Sequence, residues 1–142
     1  PELWREVFKP RLATLLAHIK GLAPHAHIFF HACGSVYEIL PDLIEVGVDI
    51  LNPIQTSAVG MDPAELKRKY GGRIVFWGGG SWAKAEFLME SPGKAADHMK
   101  ATLDEMAPGG GFVWAPSPVI DSDVPPENVE NALDTLFEYG LY

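Results

Sequence analysis

The chain has 142 residues, 47% of them apolar, with a net charge of −8 and a single cysteine. That size and composition describe one soluble globular domain, 1–142, and no apolar run approaches the roughly 18 residues a membrane span requires. The acidic balance opposes nucleic-acid binding, one cysteine forms no intrachain disulfide, and Pro1-Glu2-Leu3-Trp4 lacks a secretory pattern, so a cytoplasmic location is expected.

A helical turn over Glu2 to Phe8 is expected first. Pro10 then opens a helix whose apolar positions Leu12, Leu15, Leu16 and Ile19 recur at helical spacing, with Gly21 as its stop. Ile28-Phe29-Phe30 reads as a buried strand leading into His31-Ala32-Cys33-Gly34. Pro41 forbids one long helix from Val36 and starts a helix that ends at Gly47. Val48-Asp49-Ile50-Leu51 is a second strand, closed by Asn52-Pro53. Asp62-Pro63-Ala64-Glu65 supplies an N-cap, a proline in the first turn and the glutamate of a capping box. The helix it opens reaches about Tyr70 and carries Lys67-Arg68-Lys69 as a solvated face. Ile74 to Trp77 is the third strand and ends in Gly78-Gly79-Gly80. Ser91-Pro92 caps a helix to about Met106, Phe112-Val113-Trp114 is the fourth strand, and Pro125-Pro126 open a last helix through Asn131, Leu133 and Phe137.

One helix followed by four strand-helix units implies a parallel sheet covered by helices. Either a small open sheet with helices on both faces or a run of units from an eight-unit barrel satisfies this pattern. Both place the working site at the carboxyl ends of the strands, where His31, Cys33, Asn52, Gln55, Trp77, Gly78, Gly79, Ser117 and Pro118 fall.

His31 and Cys33 stand two apart on an extended segment, so their side chains share a face. A thiolate and an imidazole together form a two-ligand arm for zinc, and a zinc site that still accepts substrate needs three protein ligands. The competing reading is a strand-end histidine in a polar crevice beside a small, buried cysteine. Gln55 is placed to orient a substrate carboxylate or amide, or to cap its own loop. Asn52-Pro53 reads as turn chemistry. Gly78-Gly79-Gly80 offers backbone N–H groups to an anion or allows close packing at a strand end. Trp77 and Trp114 end strands at matching heights, lining a cavity for a flat ligand or filling core.

The strings His31-Ala32-Cys33-Gly34-Ser35-Val36, Leu43 through Gln55, Gly109-Gly110-Gly111-Phe112 and Val124-Pro125-Pro126-Glu127-Asn128 resemble the uroporphyrinogen decarboxylase superfamily, which includes corrinoid-dependent methyltransferases. The resemblance covers nearly the whole chain. It implies an α/β fold, the C-terminal half of a (β/α)8 TIM barrel, with the four units as the last four of eight. Four units expose two sheet edges and an inner face, so pairing with a second copy, as a homodimer, or with an N-terminal half is expected.

The superfamily implies two chemistries. The decarboxylases are lyases of porphyrin biosynthesis and need no cofactor; they hold a tetrapyrrole through arginines and an aspartate of the N-terminal half. They carry a serine where His31 stands and a histidine and glycine where Pro118 and Val119 stand, and Lys84 is the one basic candidate near the strand mouths here. In the methyltransferases a His-x-Cys pair and a later cysteine bind zinc, which delivers a substrate thiol as thiolate to a corrinoid-linked methyl donor. His31 and Cys33 match the first two ligands and Pro118 falls at the third, leaving His25, His27, water or a partner residue to complete the set. An aspartate that commonly follows the glycine pair is lost near Ser81. The substrate-binding candidates are His31, Gln55, Trp77, Gly78 and Ser117, the metal candidates are His31 and Cys33, and no catalytic residue is assigned. A degenerate, non-catalytic homologue is the third reading.

Overall fold

Extended chain occurs in short pieces, Phe29–His31 (β1), Ile50–Asn52 (β2), Val75–Trp77 (β3) and Phe112–Val113 (β4), which pair side by side in the order β1-β2-β3-β4, all parallel. The computed structural model describes residues 1–79, 91–116, 120 and 122–140. Between and around the strands run helices α1 (Lys9–Leu22), α2 (Leu40–Glu45), α3 (Pro63–Tyr70), α4 (Pro92–Met106) and α5 (Pro126–Tyr139).

Strand order decides between the two architectures. When each parallel strand is followed by its immediate neighbour, right-handed crossovers place every helix on the same side of the sheet, whereas a doubly wound sheet must reverse its order. Burial agrees with one-sided winding. Leu51, Phe76 and Phe112 stand opposite one another in register and are buried, with Phe30 of the same row packed against the core. Leu16, Leu40, Leu43, Leu66, Met99, Leu103, Met106 and Ala132 from the helices close over them. The alternate residues face the other way: Phe29 is 47% exposed and His31 is exposed, while Ile50, Asn52, Val75, Trp77 and Val113 are only part-buried. This is a partial TIM-barrel fold, one wall of parallel strands whose second face is exposed or part-buried among the described residues.

Local chemistry explains most element boundaries. Pro63 follows Asp62, whose carboxylate accepts from the Glu65 N–H at 2.8 Å, a side-chain N-cap. The capping box is not closed, because Glu65 Oε1 accepts instead from the Tyr37 hydroxyl at 2.6 Å and pairs with Lys69 at 2.5 Å. The first helix differs from expectation. No break occurs at Pro10, since a π-helical segment, Trp4–Phe8, runs directly into α1, with the Lys9 N–H bonded to the Trp4 carbonyl. The widened turn spans Glu6, whose carbonyl the Pro10 ring would otherwise crowd. Gly21 does not stop the helix, which continues to Leu22. In α5, Leu133 and Phe137 face outward, while Asn128, Ala132 and Thr135 are buried.

Two aspartates fasten the outer layer. Asp42 on α2 is buried and accepts from Arg5 Nε at 2.8 Å and Lys9 Nζ at 2.7 Å, tying the N-terminal helix to α2. Asp49, at the start of β2, accepts from the Ile28 N–H and from Lys20, each at 2.7 Å. The hydrogen bond from Lys9 holds the Asp42 carboxyl below the ordinary carboxylate range. At Asp49 partial burial pushes upward, and the Lys20 ammonium and Ile28 N–H outweigh it, so this carboxyl also lies low.

A depressed folded-state pKa contributes stability that is present above the unfolded value, about 3.9, and is lost as pH falls through the folded value. Asp42→Asn and Asp49→Asn are each expected to lower the Tm near neutral pH by several degrees. The gap from wild type should shrink below about pH 4. Thermal unfolding followed by circular dichroism across this range checks it, and a gap insensitive to acid would assign the effect to packing instead of charge.

Candidate functional site

The strand pleat assembles the site. In β1 and β2, His31 stands opposite Asn52, and in β3 and β4, Trp77 stands opposite Val113, so His31, Asn52, Trp77 and Val113 form one row on the open face at the carboxyl ends of the strands. Asn52 spans the middle of the row. Its Oδ1 lies 2.7 Å from His31 Nδ1 and its Nδ2 donates to the Trp77 carbonyl oxygen at 3.2 Å. The other imidazole nitrogen, Nε2, lies 3.6 Å from Cys33 Sγ, and Cys33 is exposed.

The two residues are held from behind as well. Gly34, which follows Cys33, adopts a positive φ of 82° and donates its N–H to Gln55 Oε1 at 2.6 Å. Gln55 thus fixes the backbone beside the thiol, with its amide oxygen engaged on that backbone. The Ala32 N–H donates to the Asn52 carbonyl at 2.8 Å, carrying the sheet pairing one residue past β1. Further back, Tyr37 links to both Glu65 and Lys69, and the Lys69 ammonium lies 5.0 Å from the centre of the Tyr37 ring. That cluster ties the segment after β1 to α3 and holds the Glu65 carboxyl below its ordinary range, chiefly through Lys69.

The remaining sequence candidates divide. The Trp77 ring meets Phe29 edge-on, with centroids 5.3 Å apart at 77°, forming an aromatic floor below the row. Gly78 packs closely: its N–H donates to the Val113 carbonyl at 2.9 Å, and a Cβ there would lie 3.1 Å from the Ile54 nitrogen. Ser117, Pro118 and Val119 lie outside the described residues, as do Gly80, Ser81 and Lys84. His27 lies near Asp49, at the amino end of the sheet, four residues and roughly 13 Å of strand from His31. Among the described residues no group of three or more His, Cys, Asp or Glu side chains is placed to hold a metal. Asn52 carries a role that its sequence context hides, because an Asn-Pro pair is a strong turn signal. A cavity of about 250 Å³ between α4 and α5, lined by Leu103, Asp104, Ala107, Pro108 and Tyr139, lies at the helix C-termini, away from this row.

Residues 1–139 match the family model described as uroporphyrinogen decarboxylase (URO-D). The chain belongs to the uroporphyrinogen decarboxylase family. Among solved structures it is similar to a methyltransferase from Methanosarcina mazei, with a TM-score of 0.73 and 23% sequence identity over 99% of this chain and 38% of that one. The chain therefore spans well under half the length of that relative. A comparison with curated proteins finds no match. Membership of the URO-D family accounts for the one-sided parallel sheet, and the similarity at this identity bears on the fold alone.

Gly78 is a direct test of the rim geometry. Its φ of 111° is one that side chains rarely adopt, and the space for a Cβ is taken by backbone of residues 53 and 54. Gly78→Ala is expected to cost about 1–3 kcal/mol in denaturant unfolding. An unchanged midpoint would mean that the rim relaxes freely.

Proposed function

We propose that this chain is the zinc-holding half of a methyltransferase barrel, with His31 and Cys33 as two of the protein ligands and a small thiol as the methyl acceptor. The observation that supports the reading is the 3.6 Å between His31 Nε2 and Cys33 Sγ. Ligands at roughly 2.0–2.1 Å for nitrogen and 2.3 Å for sulfur on a tetrahedral ion lie about 3.6 Å apart, so the separation of the pair suits a shared zinc ion. The donor types fit as well, since imidazole and thiolate suit zinc and leave positions for a third ligand and for substrate.

Bound zinc would supply Lewis acidity, keeping a substrate thiol ionised near neutral pH. The chain's own residues hold the arm. Gln55 anchors the Gly34 N–H, which fixes the direction in which Cys33 leaves the strand, and Asn52 grips the His31 ring. The Phe29–Trp77 pair offers an apolar surface below the row, suited to excluding water from a buried methyl transfer to a thiolate from a corrinoid-linked donor. Water or a residue of a second set of strands would complete the coordination, and the same strands would supply the remaining walls. β1 and β4 each have a single pairing partner among the described residues, and Phe29 leaves an exposed aromatic ring on the inner face.

Purified protein is expected to carry zinc near one per chain, lost in Cys33→Ser and His31→Ala, as read by elemental analysis. A metal-free wild type purified without chelator would refute the reading. Thiol methylation from methylcobalamin should fall at least a hundredfold in either variant. Tetrapyrrole binding in an absorbance titration, without zinc, would favour the decarboxylase alternative.

The 142-residue chain by itself is expected to self-associate at micromolar concentration, because among the described residues β1 and β4 each pair on one side only and Phe29 is exposed. Sedimentation velocity reads this directly. A well-folded monomer that stays monomeric would overturn the need for a second wall.

A further inference from the structure

We infer that Asn52 is a positioning residue that selects which nitrogen of His31 keeps its lone pair. The chain of contacts begins at a backbone atom on another strand. The Trp77 carbonyl oxygen can only accept, so the group of Asn52 that meets it at 3.2 Å is the amide NH2. That fixes the amide orientation, and Asn52 Oδ1 is the atom 2.7 Å from His31 Nδ1. An amide oxygen cannot donate, so Nδ1 carries the hydrogen. In the neutral ring the lone pair then resides on Nε2, the nitrogen that faces Cys33 Sγ at 3.6 Å. A carbonyl on β3 thus determines, through a side chain on β2, the tautomer of a histidine on β1. The sheet register that puts His31 opposite Asn52 makes the relay possible.

Free imidazole side chains favour the opposite tautomer, with hydrogen on Nε2, so the hydrogen bond changes what the ring would otherwise do. The consequence for metal rests on the function proposed above, because a ring with hydrogen on Nε2 has no donor pair beside the thiol. The tautomer itself does not depend on that function. Partners to the second ring nitrogen of a metal-binding histidine commonly tune affinity by 10–100-fold when removed.

Long-range 1H–15N correlation on histidine-labelled protein, at about pH 8.5 where imidazole is neutral, reads the tautomer without metal. His31 is expected as the Nδ1–H form in wild type and in Asn52→Asp, which keeps the acceptor, and as mainly Nε2–H in Asn52→Leu. Zinc affinity by chelator competition should be 10–100-fold weaker in Asn52→Leu and within a few-fold of wild type in Asn52→Asp. Wild-type His31 in the Nε2–H form overturns the inference, a result that stands even if Asn52→Leu does not fold. A Nδ1–H form that persists in folded Asn52→Leu, with zinc affinity unchanged, overturns it as well. A wild type with Nδ1–H on His31 and no zinc affinity sinks the proposed function and leaves the Asn52 relay in place.

Discussion

Strands of two or three residues, joined in sequential order, allow each strand to send one side chain into the helical layer and the next onto the opposite face. The rest of the structure depends on this alternation. Because every helix lies on one side, the row Phe30, Leu51, Phe76 and Phe112 becomes core, and the row one residue later becomes the site. His31, Asn52 and Trp77 are neighbours only because three separate strands are in register. A one-residue slip of β2 would turn Asn52 toward the helices and bring Leu51 onto the open face, removing the amide from His31 and an anchor from the core together.

Stability and chemistry are placed at opposite ends of the same strands. The ion pairs that fasten the chain, Asp42 with Arg5 and Lys9 and Asp49 with Lys20, lie in the helical layer and at the amino end of the sheet. The carboxyl ends carry an imidazole, a thiol and two amides that bond mainly to backbone or to one another. Parallel barrels separate these tasks in general, since the loops after the strands can vary without disturbing the loops before them. Among the described residues the exception is Glu65 with Lys69, an ion pair that ties the segment after β1 to α3.

Most of the fold was legible because it rests on local signals. Proline in the first turn of α2, α3, α4 and α5, the Asp62 cap and the short apolar runs at β1 to β3 each mark a boundary with its own physical cause. The misread features depend on contacts between distant segments. Pro10 looked like a helix start, yet the π turn before it lets Arg5 and Lys9 reach Asp42, more than thirty residues away. Glu65 stands in the capping-box position, but Tyr37 and Lys69 compete for its carboxylate. The His-x-Cys arm was visible from spacing alone. Its supports were not, because Asn52 and Gln55 lie about twenty residues from the groups they hold, and their amides are as common in turns as in sites.

The choice of asparagine at position 52 follows from what the row requires. The Trp77 carbonyl needs a donor and the protonated His31 Nδ1 needs an acceptor, and both must come from one short side chain on the strand between them. A carboxylate offers no donor to the carbonyl, leaving a partly buried backbone oxygen without its bond. A hydroxyl is a single atom and cannot span both partners. Only a planar amide presents donor and acceptor side by side at fixed spacing, and asparagine keeps it close to the backbone with few torsions to order. Glutamine would add a further torsion and carry the amide beyond the row. The position thus selects its residue by geometry: a strand-end side chain that must answer an acceptor on one side and a donor on the other is an asparagine, and its presence between β1 and β3 joins three strands of the rim by hydrogen bonds.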